Sequence, residues 1–280
     1  MSRQINTGRL VPPFLIFELL LLVLAPVTEA GAKHFQSRSL LPVDWPDVSK
    51  LESEVREQLV TLEKGLRAAI NKPNPNEAAL AESFGEAGKV YHAYSLGLPA
   101  RECYLNAQRL APKDFRWPYL LAKIAQQEGR IDEAIRYFQE AEALNPEYVA
   151  AAVNLGNIYL ETNRYPEALA SFRKALAREP ESAAALYGLG QLALSQRNYP
   201  EAISYFEKAL QLVPGANRIH YSLGIAYRGA GDLAKAEAHL VKRGVVGVRV
   251  TDDCAQVVGG GDFTTHRSMM LACSSFSRRD

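Results

Sequence analysis

Residues 151–180, AAVNLGNIYLETNRYPEALASFRKALAREP, contain two apolar stripes of helical period on either side of a polar turn, ETNRYP. Small and aromatic residues hold fixed places in this stretch: Leu155-Gly156, Tyr159, Ala168, Phe172, Ala175 and Pro180. The pattern predicts a hairpin of two α-helices.

The same residue types recur every thirty-four residues, and no insertion interrupts them. Two steps forward lie Leu189-Gly190, Ala193, Ala202, Phe206, Ala209 and Pro214, then Leu223-Gly224, Tyr227, Ala236 and Leu240. Two steps back lie Leu121-Ala122, Ala125, Ala134, Phe138, Ala141 and Pro146, then Ala87-Gly88, Tyr91, Ala100, Tyr104, Ala107 and Pro112. We therefore divide the chain into five units, 81–114, 115–148, 149–182, 183–216 and 217–250.

The recurring residues have a common physical explanation. A glycine inside a helix costs about 1 kcal/mol against alanine, so its return at one column predicts close helix–helix approach there. The aromatic column (Phe138, Phe172, Phe206) would fill the gap between neighbouring hairpins, and the prolines would end each second helix. Because one hairpin cannot bury its apolar face alone, the units are expected to stack into a solenoid.

The spacing and residue types resemble the tetratricopeptide repeat family. The resemblance implies an all-α fold, a right-handed α-solenoid of about five stacked hairpins. Residues 47–72, with an apolar residue every three or four positions, are predicted to form an N-terminal capping helix. In this family the first helices line a concave groove that takes a peptide or a partner helix.

Carried over column by column, the resemblance places these residues in the groove: Arg116, Tyr119, Lys123, Asn154, Asn157, Tyr187, Gln191, Arg218 and Tyr221. The tyrosines offer rigid contact area, with packing against the next hairpin as the alternative. Asn154 and Asn157 could hydrogen-bond a peptide backbone. Family members that clamp chaperone C-terminal carboxylates have basic side chains where Ala184 and Gly188 stand here, so only a general preference for an acidic or C-terminal peptide is expected.

The first thirty residues are typical of a secretory signal peptide. Arg3 and Arg9 precede the apolar stretch 11–25, and small residues suggest cleavage after Ala30 or Ala32. The alternative is a membrane anchor at 11–25, although that stretch is short and contains Glu18. We expect a periplasmic or secreted protein, with a flexible lead-in at 31–46.

The other end departs from the repeat. After Gly244 the pattern stops, and residues 245–280 are predicted to be an irregular or disordered tail. A frame shift or truncation that removed further repeats would also explain the missing polar capping helix. The three cysteines, two of them in this tail, are too few for a disulfide framework.

The sequence offers no motif of catalysis. It has no HExxH pair, no Cys–His zinc spacing, no phosphate loop and no GxSxG elbow, so we expect no enzyme, no metal and no cofactor. A net charge of +1 gives no reason to expect nucleic acid. We expect a protein-binding scaffold; the alternatives are a self-associating module whose last repeat stacks end to end on another copy, or the accessory repeats of a longer protein.

Overall fold

The computed structural model describes residues 40–255, and within that range the regular structure is helical. Eleven α-helices follow one another there: α1 Ser53–Ile70, α2 Glu77–Ala93, α3 Gly97–Leu110, α4 Arg116–Gln127, α5 Ile131–Leu144, α6 Val149–Glu161, α7 Tyr165–Arg178, α8 Ala183–Ser195, α9 Tyr199–Leu212, α10 Arg218–Gly229 and α11 Leu233–Val241. A single 3₁₀ turn, Asp253–Ala255, follows. The signal peptide or anchor predicted at 1–30 and the tail beyond 255 lie outside the described residues.

The helices pair in the order of the five predicted units. Unit 1 is α2–α3, unit 2 is α4–α5, unit 3 is α6–α7, unit 4 is α8–α9 and unit 5 is α10–α11; each second helix also packs on the first helix of the next unit. The fold is thus the predicted α-solenoid. The first unit begins earlier than the repeat alone indicated, because the Asn76 side chain accepts a hydrogen bond from the Ala79 N–H and caps α2 there.

One turn geometry joins the two helices of every unit. A residue with positive φ ends each first helix and recurs at the thirty-four-residue spacing: Ser95, Gly129, Asn163, Arg197 and Gly231. In unit 3 the Asn163 N–H bonds the Leu160 carbonyl and the Arg164 N–H bonds the Tyr159 carbonyl, which is the Schellman arrangement. The second helices end two residues before Pro112, Pro146, Pro180 and Pro214.

The glycine and aromatic columns meet in the core. A Cβ added to Gly156 would lie 2.5 Å from the ring of Phe172, and one added to Gly188 of the next unit would also clash with that ring. Phe172 is therefore wedged between its own hairpin and the following one. Gly190 and Phe206 repeat the contact in unit 4, and Gly88 and Tyr104 repeat it in unit 1.

Both ends of the described chain pack on the repeats. α1 packs on α2. Of the predicted lead-in at 31–46, the structure describes residues 40–46, and Leu41 there contacts α3. The Asn106 side chain of α3 accepts from the Leu41 N–H at 2.7 Å and donates to the Leu41 carbonyl at 3.0 Å. None of the described helices is both long and apolar enough to cross a membrane.

Candidate groove site

Residues 245–252, which follow α11 without forming a helix, lie along the first helices of the solenoid. At unit 5 the Arg218 N–H donates to the Val246 carbonyl at 2.8 Å, and the Val246 N–H donates to Oδ1 of Asn217 at 2.9 Å. Val248 then packs against the core of units 4 and 5, and Val250 against the core of the earlier units. We call Val245–Cys254 the C-terminal segment; it runs opposite to the order of the repeats.

The C-terminal segment ends on a polar cluster between units 2 and 3. The Tyr119 hydroxyl donates to Oδ2 of Asp252 at 2.6 Å, and the Tyr148 hydroxyl donates to Oδ1 at 2.8 Å. Asn154 donates from Nδ2 to the Tyr119 hydroxyl oxygen at 3.1 Å and to the Ala150 carbonyl at 2.8 Å. We call Tyr119, Tyr148 and Asn154 the carboxylate seat.

Burial shapes the chemistry of the carboxylate seat. The ring of Tyr119 is fully buried and packs edge-to-face on Phe138 and on Tyr148. Burial, and secondarily the charge of Asp252, raises the pKa of Tyr119 far above its ordinary value. Burial likewise raises the pKa of Tyr148. Both hydroxyls therefore keep their protons and act as donors to an anion.

A second polar cluster occupies the same columns two units later. Gln191 donates from Nε2 to the Tyr187 hydroxyl at 2.7 Å and to the Ser222 hydroxyl at 2.9 Å, while the two hydroxyls lie 3.3 Å apart. Tyr187 also packs on Phe206. Tyr119 with Asn154 and Tyr187 with Ser222 are each thirty-five residues apart, so both clusters join the first helices of adjacent units.

The remaining predicted groove residues differ in their exposure to solvent and in whether they already have partners. Arg116 is occupied: it pairs with Asp114 and with Glu82, and these contacts, Asp114 first, raise its pKa. Lys123 and Asn157 are half-buried, and Arg218 is exposed. Tyr221 is 52% exposed and is the predicted tyrosine most open to solvent.

Two residues of the site were not predicted. Tyr148 directly precedes α6, and its partner Asp252 lies 104 residues away in a segment that belongs to no repeat column. Asn154, which was predicted to face the groove, is buried, and its amide group donates to the Tyr119 hydroxyl and to the Ala150 carbonyl.

The described residues hold no cluster of His, Cys, Asp and Glu that could bind a metal ion. Cys103 and Cys254 are buried thiols outside any disulfide, and burial raises the pKa of each. His266 and Cys273 lie outside the described residues.

The stacked hairpins, with the C-terminal segment lying along their first helices, define a helical-repeat protein of the kind that acts as a scaffold for protein–protein interactions. The chain belongs to the tetratricopeptide repeat family: the family's sequence model matches residues 100–149, 119–178, 153–217 and 192–243, which together span more than half of the chain. No curated protein sequence matches it significantly.

Solved structures share the fold at low sequence identity. MamA from Desulfovibrio magneticus RS-1 is 22% identical, with 58% of this chain and 92% of that chain covered and a TM-score of 0.53. PilF from Pseudomonas aeruginosa is 18% identical, with 70% and 84% covered and a TM-score of 0.53. YrrB, described as a tetratricopeptide repeat protein with an unusual peptide-binding site, is 16% identical, with 74% and 97% covered and a TM-score of 0.51. At these identities the similarity shows the fold alone.

Proposed function

We propose that the chain is a non-catalytic scaffold that binds an extended segment of a protein partner along its first helices. The observation that carries the proposal is the C-terminal segment itself. It lies on α10 through the Val246 backbone and on α4 through Asp252, so this face already accepts an extended polypeptide. YrrB, which shares the fold, is described as having a peptide-binding site.

The contacts on this face suit a peptide better than a small substrate. At the start of α10 one main-chain hydrogen bond joins the Arg218 N–H to the Val246 carbonyl, and Val248 and Val250 pack on the solenoid at alternate positions. Main-chain bonds of this kind give affinity for any extended chain, while the side-chain contacts select among sequences. We extend the proposal to a periplasmic or secreted location on the strength of the signal-like residues 1–30.

Affinity capture from cell-envelope extracts, followed by mass spectrometry, tests the proposal. The groove variant is Arg218→Ala with Tyr221→Ala, two exposed residues of α10. The matched control is Arg173→Ala with Lys208→Ala, two exposed residues on the second helices α7 and α9. We expect the groove variant to lose specific partners that the wild type and the control retain. Equal recovery by all three proteins would refute the groove assignment.

The proposed periplasmic or secreted location is tested with the cells that supply the envelope extracts. N-terminal sequencing of the exported fraction should find a mature chain that begins at Gly31 or Lys33. An uncleaved chain confined to the membrane fraction would favour the anchor at 11–25, and one confined to the cytoplasm would refute export.

A further inference from the structure

The carboxylate seat is built to receive a particular chemical group. Tyr119 and Tyr148 each aim one hydroxyl at a different oxygen of the same carboxylate, at 2.6 and 2.8 Å. Hydrogen bonds to a charged acceptor contribute more to binding than hydrogen bonds between neutral groups. Two convergent donors therefore favour a carboxylate over a neutral side chain of the same size.

Asn154 fixes the direction of one of these donors. Its Nδ2 group donates to the Tyr119 hydroxyl oxygen, and it is itself held by the Ala150 carbonyl one turn earlier. Because the Tyr119 oxygen already accepts this bond, its proton is directed to the ligand. An amide side chain in place of the carboxylate would bring an NH₂ group towards these donors. The arrangement thus discriminates between Asp and Asn.

The cations near this end of the groove already have acidic partners. Lys89 of α2 pairs with Glu86, and Arg116 of α4 pairs with Asp114 and Glu82. The preference of the seat for a carboxylate therefore rests on the two tyrosine hydroxyls.

The residues before Asp252 define a pattern that alternates in side-chain direction. Val248 and Val250 pack on the hydrophobic cores, and Asp252 enters the seat two positions later. Alternate residues of an extended chain point to the same face. The recognised pattern is thus an apolar residue, any residue, an apolar residue, any residue and an acid.

The C-terminal segment buries few of its side chains against the groove. Cys254 is its one buried side chain, whereas Val245 is 92% exposed and Val246 is 49% exposed. A segment with few buried contacts opens at low free-energy cost. It is also tethered only a few residues beyond α11, which gives it an effective concentration on the order of millimolar.

We propose that the partner of this groove is an extended peptide with the pattern apolar-x-apolar-x-acid, that Tyr119 and Tyr148 bind its carboxylate, and that Val245–Cys254 occupies the same site in cis as a built-in competitor. The inference rests on the proposed scaffold function and names the ligand chemistry of that same groove. Partner binding then requires the C-terminal segment to leave.

A titration with a labelled synthetic peptide, VVGVRVTDDCA, which repeats residues 245–255, tests the inference on the full chain. The variant Asp252→Asn weakens the cis competitor without changing its shape, and Asp253→Asn is the matched control, since Asp253 is exposed and adjacent. We expect the peptide to bind the Asp252→Asn chain up to about tenfold more tightly than the wild type or the control, because one charged hydrogen bond is worth roughly that factor.

Two further arms examine the seat itself. A peptide with Asn in place of its first aspartate should bind the Asp252→Asn chain about tenfold more weakly than the parent peptide. Adding Tyr148→Phe to the Asp252→Asn chain should lower its affinity for the parent peptide by a similar factor. Its affinity for the Asn peptide should stay nearly unchanged. Thermal unfolding of every variant checks that the solenoid is intact.

Several results would overturn the inference. Equal peptide affinity for the wild type, Asp252→Asn and Asp253→Asn would exclude competition in cis. Equal affinity for the Asp and Asn peptides, or no peptide binding at all, would exclude the carboxylate seat. A mass that grows with concentration, and that falls to the monomer in Asp252→Asn, would mean that the segment exchanges between copies instead. None of these results affects the capture experiment with Arg218 and Tyr221, so the scaffold function succeeds or fails separately.

Discussion

Unit 3 and unit 5 use the same repeat columns but pack them differently. In unit 3 the ring of Phe172 is fully buried between Gly156 and Gly188, so it joins two hairpins. In unit 5 the corresponding residue is Leu240, which is half-buried and packs on Gly224 of its own hairpin. α11 contributes one buried residue, Ala236. The comparison teaches that an interior unit is fixed from both sides, while the last described unit has a repeat neighbour on one side and the C-terminal segment on its inner face.

The largest expected effect comes from truncating the aromatic column. Phe172→Ala removes a fully buried ring at the contact of three helices and should lower the free energy of unfolding by about 3–5 kcal/mol. Leu240→Ala removes a smaller, partly exposed side chain and should cost about 1–2 kcal/mol. Urea unfolding followed by circular dichroism measures both.

Amide hydrogen exchange then shows which units each of the two substitutions destabilises. Phe172→Ala should expose amides of units 3 and 4 together, whereas Leu240→Ala should affect unit 5 alone. Similar free-energy losses for the two variants, with the same amides affected, would remove the distinction between interior and terminal units.

The repeat architecture could be predicted from the sequence because each unit repeats the same local contacts. Gly156 and Phe172 are sixteen positions apart, and the pair returns as Gly190 and Phe206, so periodicity reveals it without any structure. The turns follow the same logic, since the positive-φ residues also keep the spacing.

The carboxylate seat could not be predicted in that way. Tyr119 and Asp252 are 133 residues apart, and Asp252 belongs to no repeat column, so no periodic pattern links them. Tyr119 itself was predicted for the groove, with packing as the alternative, and its ring packs while its hydroxyl faces Asp252. Substituting it by alanine would therefore disturb the core, which is why Tyr148→Phe is the better probe of binding.

The inter-helix turn provides a smaller test of the same comparison. Arg197 has φ +59° at the turn of unit 4, whereas the same column in unit 5 holds Gly231 at φ +85°. Residues with a Cβ atom are strained at positive φ, whereas glycine is not. We therefore expect Arg197→Gly to stabilise the protein by about 0.5–1 kcal/mol. Gly231→Ala should destabilise it by about 1 kcal/mol.

Asn163→Gly is the control for the turn prediction. Asn163 has φ +60° at the same column, and asparagine tolerates this region better than arginine does. We expect its substitution to change the unfolding midpoint by less than that of Arg197. A loss of stability in Arg197→Gly would show that the arginine side chain makes contacts that outweigh the backbone strain.

The smallest expected effect is a pH response confined to unit 5. Nδ1 of His220 lies 2.9 Å from Nδ1 of His239, a hydrogen bond that requires one of the two nitrogens to be unprotonated. Burial lowers the pKa of both histidines; the charge of Lys242 acts in the same direction on each, and Glu207 opposes it at His239. The α6–α9 hairpins contain no histidine, so they serve as the internal reference.

The sign of the effect follows from linkage. The unfolded chain binds protons near the ordinary histidine pKa of 6.5, above the lowered pKa of the folded state, so it holds more protons in the window between the two. The stabilising contribution of the pair is therefore complete above pH 6.5 and is lost as the pH falls through that window. Amide exchange in α10 and α11, corrected for the intrinsic pH dependence, should show lower protection at pH 5 than at pH 7, with α6 and α7 unchanged. His239→Gln should reduce the difference, and the part that remains should come from His220, whose pKa is lowered by its own burial. An equal change in both hairpins would show that the pH acts on the whole solenoid rather than on this pair.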